Sequence, residues 1–194
     1  MSRDVDNYVR GCQSRQRYYA STGVQHGSLN PHMPKQAPFD AIAMDHVGPV
    51  YTEDANKYFI TAVDVTTRFI ITRAVPDKST GHVLRFLDED VLFAFETPKT
   101  VVTDNDRVFT SRSATRYFTE KSIHHRLTVP YAPETNGLVE RATAKILSVL
   151  RKNLNGNMDN WSEYLKETTF QLNNQPHVGL QISTFDLLYS CVPR

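Results

Sequence analysis

The sequence predicts an α/β protein in which a central, mixed, five-stranded sheet is flanked by helices. Five short runs are rich in β-branched and aromatic residues, the composition that strands favour. After the third run, segments with apolar residues at helical spacing alternate with the remaining strands. Strands interleaved with helices in this order are typical of a sheet covered by helices.

The first three strands come in quick succession. Residues 41–47 read as a buried strand with Asp45 near its end. The β-rich runs 58–63 and 68–75 follow, and the four residues between them predict a hairpin. Asp64 opens that connection, and we expect it to be a turn residue that accepts hydrogen bonds from its local backbone.

Helices alternate with the last two strands over the rest of the chain. A helix capped by Ser79 or Thr80 is expected to run to about Phe95. Its predicted inward-facing residues are Val83, Leu84, Leu87, Val91 and Ala94. The acidic run 88–90 on this helix favours a solvated face over a metal site. The later segments are a strand at 100–103, a helix at 111–121, a strand at 123–128, and helices at 136–153, 161–173 and 185–189.

A proline-rich loop precedes the helix that carries Glu140. Two prolines and an Asn-Gly pair predict a loop up to Gly137, with Thr135 or Asn136 as the helix N-cap. Glu140 then lies in the first turn, one position off the apolar side, and faces whatever the loop borders. Taken alone, such an acid is explained by helix-end electrostatics, which are worth a few tenths to about 1 kcal/mol.

The composition bounds the kind of protein without identifying it. A chain of 194 residues suffices for one core-forming domain with an appendage. No apolar run approaches the roughly 20 residues of a membrane span. Two isolated cysteines, Cys12 and Cys191, predict a reducing compartment and no disulfide framework. The net charge of +1 neither indicates nor excludes nucleic acid as a partner.

Two acids share one setting, and a third is placed to join them. Asp45 lies near a strand end and Asp104 directly follows the strand 100–103, where sites form in open α/β sheets. Carboxylates about 4 Å apart repel by roughly 4 kcal/mol at an effective dielectric of 20, so a cluster with Glu140 needs a cation. All-oxygen ligands suit Mg²⁺ or Mn²⁺, and two such ions can serve phosphodiester chemistry. Spacing does not establish that the acids meet, and a structural role for each stays open.

The chain resembles the catalytic core of retroviral and long-terminal-repeat retrotransposon integrases, most of all those of gypsy-type elements. The resemblance covers about residues 8–194, and thirty-five residues separate Asp104 from Glu140, as the family's Asp-Asp-Glu signature requires. The matching motifs are MDHVGP (44–49), YFITAVDVTTRF (58–69), TDNDRVFTS (103–111), PYAPETNGLVER (130–141) and FDLLY (185–189).

The resemblance implies an RNase H-like fold and a polynucleotidyl transferase that trims DNA ends and joins them to target DNA. Asp45, Asp104 and Glu140 would be the catalytic residues and the ligands of two Mg²⁺ or Mn²⁺ ions, with Asp45 bridging both. The implied partners are the element's DNA ends and target DNA, in a homodimer or higher oligomer without a membrane. The implied location is the nucleus, reached from the cytoplasm.

Position and chemistry also indicate candidate DNA contacts. Helix-borne cations can neutralise phosphates, although each taken singly is as readily a solvated surface charge. The candidates are Asn105, Arg107, Asn136, Arg141, Lys145 and Arg151.

The chain departs from the family pattern at several positions. Residues 1–38 are interpreted as a remnant of the N-terminal zinc-binding domain plus a linker, and residues 39–194 as the catalytic core. Arg15 stands where the family has the second cysteine of a Cys-x-x-Cys pair, so no zinc is expected. Asp106 replaces a common glycine, where a left-handed backbone is tolerated by aspartate, and Glu134 adds negative charge to the loop. The family's C-terminal DNA- or chromatin-binding domain is not expected after residue 189.

The sequence leaves two other functions open. One is a catalytically silent DNA- or protein-binding module derived from a degraded or host-adopted integrase. The other, less favoured, is an RNA-cleaving nuclease of the same fold.

Overall fold

The computed structural model of the chain describes residues 37–128, 133–176 and 181–189, and for 133–136 the backbone alone. Most of the expected zinc-domain remnant, with Cys12 and Arg15, therefore lies outside the described residues. So do Cys191 and the side chain of Glu134. Among the described helices, none combines the length and apolar character needed to cross a membrane.

A mixed sheet of five strands organises the described chain, in the order β3-β2-β1-β4-β5. The first three strands are antiparallel neighbours, whereas β4 runs parallel to β1 and β5 parallel to β4. The predicted fold class is thereby confirmed. The strands are β1 (Ala41–Val47), β2 (Tyr58–Asp64), β3 (Ile70–Val75), β4 (Thr100–Thr103) and β5 (His124–Leu127).

Helices follow the third, fourth and fifth strands. α1 starts at Thr80–Phe86, continues as a π-helical segment at Leu87–Leu92, and ends with the turn Phe93–Phe95. The remaining helices are α2 (Arg107–Thr110), α3 (Arg112–Glu120), α4 (Pro133–Asn153), α5 (Trp161–Asn174) and α6 (Thr184–Tyr189).

Successive residues of the central strands face opposite sides of the sheet, and each side has its own core. Ile42 and Met44 of β1 pack on the side covered by α1, α2 and α3. Ala43 packs on the side covered by α4 and α5, with Ile146 and Trp161. Because Asp45 shares its parity with Ala43, its side chain belongs to the α4 side.

The hairpin turn is built around Asp64, as expected. Its carboxylate is fully buried, accepting from the backbone N–H and hydroxyl of Thr67 at 2.7 and 2.6 Å. It also accepts from the backbone N–H of Phe39 at 2.9 Å. Three donors thus compensate the buried charge, and they tie the residues before β1 to the β2–β3 turn.

The π-helical segment of α1 overturns one detail of the predicted packing. Val83, Leu87 and Val91 are buried as expected, but Ala94 is exposed and Phe93 is 79% exposed. A π-helical turn holds more residues than an α-helical one, so positions beyond it rotate relative to an α-helical pattern. The inward assignment of Ala94 was therefore wrong.

The acidic run on α1 is a paired surface. The guanidinium of Arg73 on β3 contacts Glu89 at 2.7 Å and Asp90 at 2.5 Å. The hydroxyl of Tyr117 donates to Asp88 at 2.8 Å. These partners, rather than solvent alone, account for the run.

The start of α4 also differs from the prediction. The helix begins at Pro133, so the expected N-cap at Thr135 or Asn136 is wrong, and the loop does not extend to Gly137. Proline is well suited to the first helical position, because its missing N–H has no intrahelical partner there and its φ is already helical. Glu140 consequently lies in the second turn of the helix.

α5 closes the outer edge of the sheet at β3. The side-chain amide of Asn173, which is buried, donates to the carbonyl of Ile70 at 2.8 Å and accepts from its N–H at 2.9 Å. Thr169 and Thr72 share a buried hydrogen bond of 2.7 Å nearby. The helix therefore satisfies backbone groups that an edge strand leaves open.

Candidate functional site

Four of the five strands run in the same direction and therefore finish at the same end of the sheet. β3 and β1 are both antiparallel to β2 and hence run in the same direction, which β4 and β5 share. We call this the site end of the sheet: the ends of β1, β3, β4 and β5 at Val47, Val75, Thr103 and Leu127.

The strand register brings Asp45 and Asp104 together. Ala43 of β1 pairs with Val102 of β4 in the parallel ladder. Asp45 lies two residues beyond that pair on β1, and Asp104 is the first residue after β4. Neighbouring strands are about 5 Å apart, so the two acids lie at adjacent strand ends. The adjacency expected at the strand ends is thus present.

Electrostatics place Glu140 in the same neighbourhood. Burial is the main cause that raises the pKa of Asp45, and the charges of Asp104 and Glu140 raise it further. The backbone N–H of His46, which donates to Asp45 at 2.7 Å, and the charge of Lys78 act in the opposite direction. The charges of Asp104 and Glu140 therefore both act on Asp45.

The three carboxylates do not form a closed coordination shell. In residues 37–128, 133–176 and 181–189 there is no group of three or more His, Cys, Asp or Glu side chains placed to hold a metal. The donor chemistry nevertheless fits a hard divalent cation, since all three groups offer carboxylate oxygens. The repulsion that raises the pKa of Asp45 is also what a bound cation would relieve. The ligand roles of the three acids stay a prediction.

Hydrogen bonds hold the turn that carries Asp104. Its carboxylate accepts from the backbone N–H of Asp106 at 3.1 Å. The hydroxyl of Thr103 donates to the Asp104 carbonyl at 2.8 Å and lies 2.9 Å from Nε2 of His125 on β5. The turn is therefore anchored both within itself and to the neighbouring strand.

The family model described as Integrase core domain matches residues 35–133, just over half of the chain. The chain belongs to the integrase core domain family. The matched segment includes Asp45 and Asp104, and Glu140 lies beyond its end.

Transposon polyproteins are similar to this integrase core over almost the whole length of the chain. The Transposon Tf2-3 and Transposon Tf2-4 polyproteins of Schizosaccharomyces pombe are each 23% identical to it over 195 residues. The aligned part covers 98% of this chain but 14% of each polyprotein. The chain thus spans a small part of the length of the curated relatives it matches.

A solved structure supports the fold. The crystal structure of the catalytic core domain of BIV integrase superposes with a TM-score of 0.64 at 18% sequence identity. The match covers 78% of this chain and 95% of that one. The RNase H-like fold expected of an integrase core is confirmed.

Asp106 has a structural role in this integrase core. Its backbone is extended, with φ −67° and ψ 146°, so no left-handed conformation is needed at this position. One carboxylate oxygen caps α2 by accepting from the N–H of Val108 at 3.2 Å. The other forms an ion pair with Nζ of Lys78. Lys78 thereby compensates the negative charge that Asp106 introduces next to Asp104.

The predicted DNA contacts lie mostly on the surface. Arg141 is placed over Gly137, where an added Cβ would come within 2.9 Å of its Nη1. The side chain of Asn136 lies outside the described residues, so its placement is untested. Their contact with DNA stays a prediction, although all the others are exposed: Asn105, Arg107, Arg141, Lys145 and Arg151.

Sequence reasoning missed two basic residues near the acids. Lys78 follows β3 in a loop whose sequence gives no hint of a partner 28 residues away. Arg126 on β5 pairs in register with Val102 and is exposed. Its neighbour His125 stacks on Phe118 of α3, so Arg126 points to the opposite side, the side of the acids. Strand alternation in β5 was the available signal for Arg126.

Proposed function

We propose that this integrase core carries out metal-dependent phosphoryl transfer on DNA: processing of a retroelement's 3′ end, followed by strand transfer into target DNA. The observation that carries the proposal is the position of Asp45. It lies beside Asp104 at the site end of the sheet, and its carboxyl group is acted on by both Asp104 and Glu140.

The three acids, Asp45, Asp104 and Glu140, would hold two Mg²⁺ or Mn²⁺ ions through their carboxylate oxygens. Such ions, when bound, activate an attacking oxygen and stabilise a leaving one. The protein itself contributes by positioning the carboxylates. The register of β1 with β4 would position Asp45 and Asp104, and α4 would supply Glu140. No covalent link between enzyme and DNA is required.

DNA would approach the acids at the site end of the sheet. Arg126, Arg107 and Arg141 are exposed cations that can neutralise phosphates without reading sequence. We also infer a homodimer or higher oligomer, because both DNA ends of an element must be joined. The nucleus is the proposed site of action, since the target is chromosomal DNA.

The proposal is tested by strand transfer and by its reversal on branched DNA, with Mg²⁺ or Mn²⁺. Asp45→Asn should reduce both activities to background. Asp40→Asn is the matched control, because Asp40 directly precedes β1 at the opposite end and pairs with Lys99. Full activity of Asp45→Asn would refute the proposed mechanism. DNA binding by the wild-type chain without strand joining would instead favour a catalytically silent binding module.

A further inference from the structure

Lys78 occupies the loop between β3 and α1, at the site end of the sheet. Its ammonium group forms an ion pair with a carboxylate oxygen of Asp106, and its side chain is 38% exposed. Lysine side chains on loops are ordinarily mobile and well hydrated. Here the partner is itself held, which gives the charge a defined position.

Asp106 is fixed from two directions. Its second carboxylate oxygen accepts from the N–H of Val108 and so caps α2, at 3.2 Å. Its own backbone N–H donates to the carboxylate of Asp104 at 3.1 Å. A continuous set of contacts therefore runs from Lys78 through Asp106 to Asp104, one of the predicted metal ligands.

Lys78 also acts on the acids without touching them. Its hydrogen bond with Asp106 is the main cause that raises the pKa of Lys78, and the charges of Asp104 and Asp45 raise it further. In return, its charge opposes the rise in the pKa of Asp45. The ammonium group thus lies within electrostatic range of both strand-end acids.

We propose that Lys78, held in place by Asp106, is the built-in counter-charge of the acidic site. It offsets the repulsion between Asp45 and Asp104 in the metal-free protein, and for the same reason it weakens the binding of a divalent cation there. Lys78 is then a positioning residue that sets the metal affinity of the site. The identity of the cation rests on the proposed function. The contacts from Lys78 through Asp106 to Asp104 do not depend on it.

The competing explanation is an ordinary surface ion pair, which contributes about 0–1 kcal/mol and has no effect on a metal site. The chain supplies a matched pair for comparison. Lys99 and Asp40 contact each other at 2.9 Å beside the starts of β4 and β1, at the opposite end of the sheet. The two explanations differ in what removing each lysine does to metal binding.

The first experiment measures Mn²⁺ affinity of the full chain from the EPR signal of free Mn²⁺. Lys78→Met should tighten binding roughly threefold to tenfold, since it removes a partly screened positive charge near the cation. Asp106→Asn should weaken it by a similar factor. The double variant should return to within about twofold of wild type, Lys78→Arg should match wild type, and Lys99→Met should have no effect. Partial unfolding of Lys78→Met would weaken Mn²⁺ binding, so tighter binding does not come from a loss of structure. Unchanged or weaker Mn²⁺ binding by this variant overturns the proposal.

The second experiment needs no metal. Urea unfolding in the presence of a chelator compares Lys78→Met in the wild-type and Asp45→Asn backgrounds. The decrease in the urea midpoint should be smaller when Asp45 is already neutral, because the part of the favourable interaction that Asp45 supplies is gone, while the ion pair with Asp106 remains. Equal decreases in both backgrounds overturn the proposal.

The two experiments separate this inference from the proposed function. If the wild-type chain binds no Mn²⁺ while the coupling between Lys78 and Asp45 is present, the counter-charge stands and the proposed metal chemistry fails. If Mn²⁺ binding depends on Asp45 but is indifferent to Lys78→Met, the proposed function stands and the counter-charge is refuted.

Discussion

His46, next to Asp45, should make the fold sensitive to mild acid. The residue is 7% exposed and its ring packs against Tyr58. Neither ring nitrogen has a hydrogen-bond partner among the described residues. Burial, assisted by the charge of Lys78, lowers the pKa of His46 from 6.5 to about 4. The unfolded chain therefore takes up this proton at a higher pH than the folded chain does.

The sign and size of the effect follow by linkage. Because the folded pKa lies below the unfolded one, stability is complete above about pH 6.5 and is lost as the pH falls toward 4. A shift of 2.5 units from 6.5 to about 4 corresponds to about 3 kcal/mol at 1.36 kcal/mol per unit. Below about pH 4 the loss levels off, since both states are then protonated.

The assay is urea unfolding of the wild type and His46→Phe between pH 7 and pH 4. Carboxylates titrate in both proteins, so the difference between them isolates the histidine. Wild type should lose about 3 kcal/mol more than the variant over this range. At pH 7 the variant should be at least as stable, because it removes two unpartnered buried nitrogens. Parallel pH profiles for the two proteins would refute the reasoning.

Three further substitutions follow from the described contacts. Asp64→Ala should lower the free energy of unfolding by about 2–4 kcal/mol in urea, because it leaves three donors without an acceptor, whereas Asp64→Asn should cost less. Asn173→Ala should cost about 2–3 kcal/mol in the same assay by orphaning the N–H and carbonyl of Ile70. Arg126→Glu should weaken DNA binding in fluorescence anisotropy and flatten its salt dependence by about one charge. Arg116→Glu, exposed on the opposite side on α3, should not.

The strands and most helices could be predicted because their signals are local. Alternation and β-branched composition identify β1 to β5, and Asp64 at the hairpin is an ordinary turn residue. The misassigned helix start at Pro133 has a local cause as well. Proline indicates both loops and first helical turns, and the sequence alone does not separate the two.

The site could be predicted only in outline, since its contacts are between distant segments. That Asp45 and Asp104 are adjacent depends on the parallel pairing of β1 with β4, which spacing does not specify. The ion pair between Lys78 and Asp106 depends on two loops meeting at the site end of the sheet. The π-helical segment that exposes Ala94 has no local sequence signal that would have marked it.

Glu140 lies farther from the start of its helix than the sequence predicts. Read from the sequence, it lay in a first helical turn, where the helix dipole alone explains an acid. The helix dipole acts mainly within the first turn, and α4 begins at Pro133, which puts Glu140 in the second. The helix dipole therefore explains an acid at position 140 less well than the sequence indicated. What the structure does show is that Glu140 raises the pKa of Asp45 on the facing strand. A cation held between Glu140 and Asp45 would relieve this repulsion, and that is the role the proposed function assigns to the pair.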